Sequence, residues 1–143
     1  GVDRLEGYKQ SLRDAGHQVN ESLIAEGDFT YASGYHAMQK LLHQDVDAVF
    51  AASDRSALGA YRALQQAQLR VPDDLALVGY DDLAQYVQPP ILPLTSVKHH
   101  ITEKSIRATN LLLDLIDGKC APPQQIVVPT ELVIRQSSQG KKT

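Results

Sequence analysis

The segment VFAASDRSALGAYRAL, Val49 to Leu64, changes character at its middle. An apolar run short enough for a strand ends at Ser53-Asp54, and an alanine-rich pattern with helical spacing begins at once. A second seam of this kind closes LALVGYDD, Leu75 to Asp82, where an apolar run ends in paired carboxylates. Neither Ala48 to Ala52 nor Leu75 to Val78 alternates with polar residues, which is the pattern of strands covered on both faces. Such strands, separated by helical stretches of about 10 to 15 residues, predict βαβ units, because parallel neighbours need a crossover connection. Both seams then lie at the carboxyl ends of parallel strands, the rim where an open α/β sheet binds ligands.

The rest of the chain is placed around these two seams. Upstream, Val2, Leu5, Tyr8, Leu12 and Ala15 recur at steps of three and four and predict a first helix, stopped by Gly16. Ser22 to Ala25 reads as a short strand. The loop Gly27-Asp28-Phe29-Thr30 can cap a helix from Tyr31 to Gln44, with Tyr35, Met38, Leu41 and Leu42 inward. Val46 to Ala52, Arg55 to Gln68 and Leu75 to Gly79 follow as strand, helix and strand. Downstream, Pro89, Pro90 and Pro93 forbid helix and make Gln88 to Leu94 an extended crossing between subdomains. Thr102 caps a helix to Asp117 that carries Ile106, Leu112, Leu113 and Ile116. Ile126 to Val128 and Leu132 to Ile134 are short strands on either side of Pro129. The fold class is an α/β sandwich with a parallel sheet, and the polar end, Ser137 to Thr143, is expected to fray.

A chain of 143 residues with 43% hydrophobic content holds one domain-sized core. A formal charge of −3 gives no basic footprint for nucleic acid or an anionic membrane surface. The lone cysteine, Cys120, rules out an internal disulfide and a Cys-based metal site, and fits a reducing, cytoplasmic setting. No apolar stretch nears the roughly 18 residues of a membrane span. The opening Gly1-Val2-Asp3 lacks both an initiator Met and a secretion signal, so a processed or excised chain is expected.

Ser53, Asp54, Asp81 and Asp82 share the predicted rim. An ionised carboxylate only accepts hydrogen bonds, and several around a crevice suit a hydroxyl-rich ligand such as a sugar or a ribose better than a phosphate. Local roles compete with this reading. Ser53 or Asp54 can cap the helix that follows, worth about 1 kcal/mol, and Asp81-Asp82 can form a turn. Asp54 reads as a cap rather than as a ligand contact. His36 and His43 stand two turns apart on one helix, too far to share a metal, and read as surface residues; His99-His100 lacks a companion at metal spacing. None of the phosphate-binding or nucleophile motifs occurs, so neither catalysis nor a cofactor is expected.

An ordered series of motifs resembles the C-terminal part of the lactose- and galactose-repressor family of transcription regulators. It comprises Arg4-x-x-Gly7; Glu26-Gly27-Asp28-Phe29 with Ser33-Gly34-Tyr35; Ala48-Val49-Phe50-Ala51 to Ser53-Asp54, then Ala57-Leu58-Gly59-Ala60; Val71-Pro72-Asp73-Asp74-Leu75; Val78-Gly79-Tyr80-Asp81-Asp82; Pro93-Leu94-Thr95-Ser96-Val97; and Glu131-Leu132-Val133-Ile134-Arg135. The resemblance implies a partial effector-binding core of the periplasmic-binding-protein type. Residues 1–93 would form the C-terminal subdomain, 94–129 a crossover strand and helix of the N-terminal subdomain, 130–138 a return strand, and 139–143 a disordered tail. It implies ligand contacts from Arg4 to hydroxyl or carbonyl oxygens, from Phe29 to a ring face, and from Ser53 and Asp81. The partners it implies are a small effector, sugar or nucleoside-like, a second copy in a homodimer, and DNA through a headpiece that these residues do not include, with no membrane.

This sequence departs from the family pattern. The strand expected before the first helix, the headpiece and most of the first subdomain are absent, which is expected to leave the Leu112, Leu113 and Ile116 face uncovered. The Asp82 to Pro93 connection also differs, so no role is carried onto it. Two other functions compete with sensing: a solute-binding protein for sugar transport, which shares the fold, and a Mg²⁺-dependent receiver using Asp54 and Asp81-Asp82.

Overall fold

The computed structural model describes residues 1–83 and 92–140. Its element order is α1 (Val2–Asp14), a 3-10 turn (Glu21–Leu23), α2 (Tyr31–Leu41), β1 (Ala48–Phe50), α3 (Asp54–Gln66), β2 (Ala76–Tyr80), β3 (Thr95–Lys98), α4 (Ile101–Ile116), β4 (Glu131–Val133) and a second 3-10 turn (Gln136–Ser138). The four strands form one sheet in the order β1-β2-β3-β4. β1 and β2 pair in parallel with Val49 opposite Leu77, β2 and β3 in parallel with Gly79 opposite Ser96, and β4 runs antiparallel to β3. This is the α/β arrangement that the seams predict.

The core follows from the same stretch that sets the fold. α3 presents Ala57, Ala60, Ala63 and Leu64 on one face, all buried, against Leu75 and Leu77 of the β2 segment and Met38 of α2. Small side chains let α2 and α3 cross closely. A Cβ on Gly34 would collide with the backbone of Ser56, and one on Gly59 with the backbone of Tyr31 and Tyr35. Thr30 caps α2 as expected, its hydroxyl accepting from the Ser33 amide at 3.1 Å.

Four expectations are corrected. Ser22 to Ala25 is not a strand: Glu21–Leu23 is a 3-10 turn, and Ile24 after it is extended but pairs with no strand among the described residues. Ile126 to Val128 likewise finds no partner strand there, and Val127 is exposed; only the later segment pairs, as Glu131–Val133. α4 begins before Thr102, with His100 at its N-cap in the left-handed region (φ 51°) and no side-chain cap bond. The end of the chain is anchored rather than frayed at Ser137, which is fully buried and bridges the Leu77 carbonyl and the Thr95 amide at 2.6 and 2.8 Å.

Most of the expected Gln88 to Leu94 crossing lies outside the described residues, as do the last three positions; Leu92 and Leu94 are buried. α4 has no buried residue, and Ile106, Leu112, Leu113 and Ile116 are exposed on it. No helix among the described residues is long and apolar enough to cross a membrane.

Candidate functional site

Arg4, Phe29 and Asp81 meet at the carboxyl end of the parallel strands. Arg4 leaves the first turn of α1 on the face that also carries Leu5 and Tyr8, so the helix aims its guanidinium at the sheet. Nη1 donates to the Ala52 carbonyl beyond β1. Nη2 reaches Asp81 Oδ1 at 3.3 Å beyond β2. The guanidinium carbon also stands 5.7 Å from the centre of the Phe29 ring and 3.7 Å from that of Tyr80. Arg4 therefore binds the ends of two strands and the Gly27–Thr30 loop into one corner.

Phe29 is displayed, not buried. It is 40% exposed and its φ is 65°, a left-handed conformation that costs a non-glycine residue energy. The turn beneath it is tied by Asp28, whose Oδ1 accepts from the Thr30 amide at 3.1 Å and the Thr30 hydroxyl at 2.6 Å. Those bonds, with one to Ser33, hold the Asp28 carboxyl at about 2, below its ordinary 3.8.

The helix cap expected of Asp54 is made by Ser53 instead. Ser53 is the N-cap of α3, its hydroxyl accepting from the Ser56 amide at 3.1 Å. The same hydroxyl donates to the Phe29 carbonyl at 3.3 Å, so Ser53 supports the aromatic loop from below. Asp54, 1% exposed, turns into the protein. Its Oδ1 accepts from Ser96 Oγ at 2.6 Å and its Oδ2 from the Leu83 amide at 2.5 Å. Gly79 makes the room, since a side chain there would strike the Asp54 carboxylate.

Asp81 and Asp82 also part company. Asp82, 4% exposed, points inward, pairs with Arg135 at 2.7 Å, and donates from its amide to the Ser96 hydroxyl oxygen at 3.1 Å. Asp81, at φ 108°, stays at the rim beside Arg4 and His99. Burial pushes the Asp81 carboxyl above the usual carboxylate range; Arg4 and then His99 pull it back, and nearby Asp54 adds to the upward push. These separate commitments leave no joint Mg²⁺ arrangement for Asp54, Asp81 and Asp82, and no cluster among the described residues could hold a metal ion.

Arg4 and Phe29 stand at one end of an apolar hollow of about 400 Å³, which continues between α1 and β1 past Leu5, Tyr8, Ile24 and Phe50. Asp81 closes the corner from beyond the hollow's lining through its bond to Arg4. Two members of the corner escaped the sequence reading, Tyr80 and His99. Tyr80 stacks with His99 at 6.0 Å between ring centres and 23° between planes, and His99 Nε2 lies 3.3 Å from Asp81 Oδ1. Applied to the end of β3 as it was to β1 and β2, the rim rule would have found His99; Tyr80, the last residue of β2, already stands on the rim that the rule marks.

Comparison with known proteins agrees with this architecture. The family model for a periplasmic binding protein-like domain matches residues 1–138. The HTH-type transcriptional regulator CelR of Thermobifida fusca is 45% identical over 141 residues, covering 96% of this chain and 41% of CelR. The HTH-type transcriptional repressor CytR of Escherichia coli (strain K12) is 39% identical over the same length, covering 96% of this chain and 40% of CytR. Among solved structures, a transcriptional regulator CelR–cellobiose complex superposes with a TM-score of 0.87 at 44% identity, over 96% of this chain and 42% of that one. A LacI family regulator from Enterococcus faecium with bound ribose gives a TM-score of 0.85 at 28% identity, over 97% of this chain and 52% of that one. The chain thus spans about two fifths of the length of these curated relatives. It belongs to the periplasmic-binding-protein-like domain family and resembles the C-terminal, effector-binding part of LacI-family transcriptional regulators.

Proposed function

We propose that the chain is the sensing part of a DNA-binding transcriptional regulator, holding a small polyhydroxylated effector, a sugar or a nucleoside, against Arg4, Phe29 and Asp81. The observation that carries this reading is their convergence: one guanidinium lies within 3.3 Å of the Asp81 carboxylate and 5.7 Å of the Phe29 ring. A guanidinium offers donors to lone pairs, a carboxylate accepts hydroxyl protons, and an exposed aromatic covers an apolar C–H face. Together they match the surface of a sugar ring. The relatives are regulators, one of them solved with cellobiose and another with ribose, which favours sensing over transport.

In this reading residues 1–93 form one wall of a cleft, residues 94–129 belong to a second subdomain, and the exposed face of α4 packs against the remainder of that subdomain. Effector binding closes the cleft and shifts a pre-existing equilibrium that sets DNA affinity in a dimer; a coupling of roughly 1 to 3 kcal/mol suffices. A thermal-shift screen of the full-length protein against monosaccharides, disaccharides, sugar phosphates and nucleosides tests this. A neutral polyol at 100 times its dissociation constant should stabilise by about 2.7 kcal/mol. Stabilisation by phosphates alone, or by none of the panel, would contradict the proposal.

A further inference from the structure

His99 follows β3 and faces the carboxylate that the sensing reading makes the hydroxyl acceptor. Its Nε2 lies 3.3 Å from Asp81 Oδ1, the oxygen that Arg4 Nη2 reaches at the same distance. Its ring stacks with Tyr80, whose ring also carries the Arg4 guanidinium at 3.7 Å. All three polar side chains keep some access to solvent, Arg4 at 27%, His99 at 19% and Asp81 at 18%. The imidazole therefore sits where an effector would arrive.

We propose that His99 is a specificity-determining residue of this site and that its protonation weakens the binding of neutral polyhydroxyl effectors; the inference rests on the sensing reading above. With His99 neutral, the Arg4–Asp81 pair has no net charge, and a neutral ligand can cover it without burying one. Protonation adds a second cation, and two effects act in the same direction. The imidazolium competes with ligand hydroxyls for the lone pairs of Asp81. Closing the site then also buries a charge without a counter-ion, which is costly.

The other charged groups nearby have partners elsewhere. Glu131 of β4 pairs with His100 at 3.8 Å, and Arg135 pairs with Asp82 at 2.7 Å. Asp54 is buried beneath the rim with its oxygens on Ser96 and Leu83, and Lys98 at the end of β3 makes no ion pair among the described residues. Among the described residues, Asp81 is the acidic side chain within ion-pair reach of His99.

Imidazoles change charge between about pH 5 and pH 8, so binding that favours the neutral form should tighten as pH rises and release a proton. Calorimetry on the full-length protein, with cellobiose, ribose and adenosine as probes, is run at about pH 5.5 and about pH 8 in two buffers of different ionisation enthalpy. A probe that binds at the higher pH should bind roughly five- to tenfold more weakly at the lower one, tenfold being the limit for a binding-linked shift of one pH unit in proton affinity. Proton release should accompany binding at the lower pH, and the affinity of His99→Gln, whatever its level, should be the same at both values. His99→Asn serves the same purpose if the glutamine variant does not fold. A flat wild-type profile, or a pH dependence that survives both substitutions, would overturn the role of His99 while leaving the sensing site intact. Failure of all three probes at both values would remove the sensing reading, and this inference with it.

Discussion

Asp54 and Ser96 share a 2.6 Å hydrogen bond beneath the candidate site, both almost wholly buried, and between them they hold the backbone on which Asp81 stands. Asp54 also accepts from the Leu83 amide, and the Ser96 oxygen accepts from the Asp82 amide. The rim carboxylate is thus positioned by an invisible one twenty-seven residues earlier in the chain.

Asp54→Asn tests that support. Asparagine offers one acceptor where the carboxylate offers two, and turns an amide donor towards a group that itself donates. An unmet buried donor costs about 1 to 3 kcal/mol, more where the lost acceptor was charged. Urea unfolding should show a loss of at least that size, with effector binding weakened although Asp54 itself faces away from the hollow. Unchanged stability would mean that the turn holds itself.

Gly59→Ala should destabilise against the trend of helix propensity. Alanine is favoured over glycine in a helix interior by about 1 kcal/mol, but here the added methyl meets the backbone of Tyr31 and Tyr35. Overpacking of this kind costs roughly 1 to 3 kcal/mol, so the melting temperature should fall. A rise would show that α2 and α3 can separate without loss.

The Phe29 loop should respond to acid. The carboxyl of Asp28 is held at about 2 against an ordinary 3.8 by Thr30 and Ser33. A depressed carboxyl stabilises the folded form above its unfolded value, and that contribution disappears as pH falls from 3.8 towards 2. Protection of the Thr30 amide from hydrogen exchange should decline across that window and should be low throughout in Asp28→Ala. Equal protection in the variant would contradict the proposed tie.

The elements nearest the two seams were legible because their signals are local. The hydroxyl of Thr30, the alanine face of α3 and the unbroken apolar runs each act within a few residues. Strands are not local: Ser22 to Ala25 and Ile126 to Val128 have strand composition, yet a strand exists only through a hydrogen-bonded neighbour, and none stands beside them among the described residues. The chain spans about two fifths of its curated relatives, so pairing partners and a cover for α4 need not lie within it.

Which of Ser53 and Asp54 caps α3 was hidden for another reason. Either residue can cap a helix, and the space that Gly79 leaves for the Asp54 carboxylate lies twenty-five residues away in the sequence. Arg4, Phe29 and Asp81 were identified through the family resemblance together with the chemistry of donors, acceptors and an aromatic face. His99 lacks metal companions at sequence spacing, and no local pattern in the sequence couples it to a carboxylate. Its partner is the carboxylate of Asp81, 3.3 Å away and eighteen residues earlier.

The central claim is that Arg4, Phe29 and Asp81 together hold the effector. The most direct measurement is effector-dependent release from operator DNA by the full-length protein, compared between the wild type and Arg4→Ala, Phe29→Ala and Asp81→Ala. Each variant should bind DNA as the wild type does and lose about tenfold or more in effector response, the loss expected from about 1.4 kcal/mol of binding. A variant set that binds DNA and still responds at wild-type effector concentrations would show that the effector is held elsewhere.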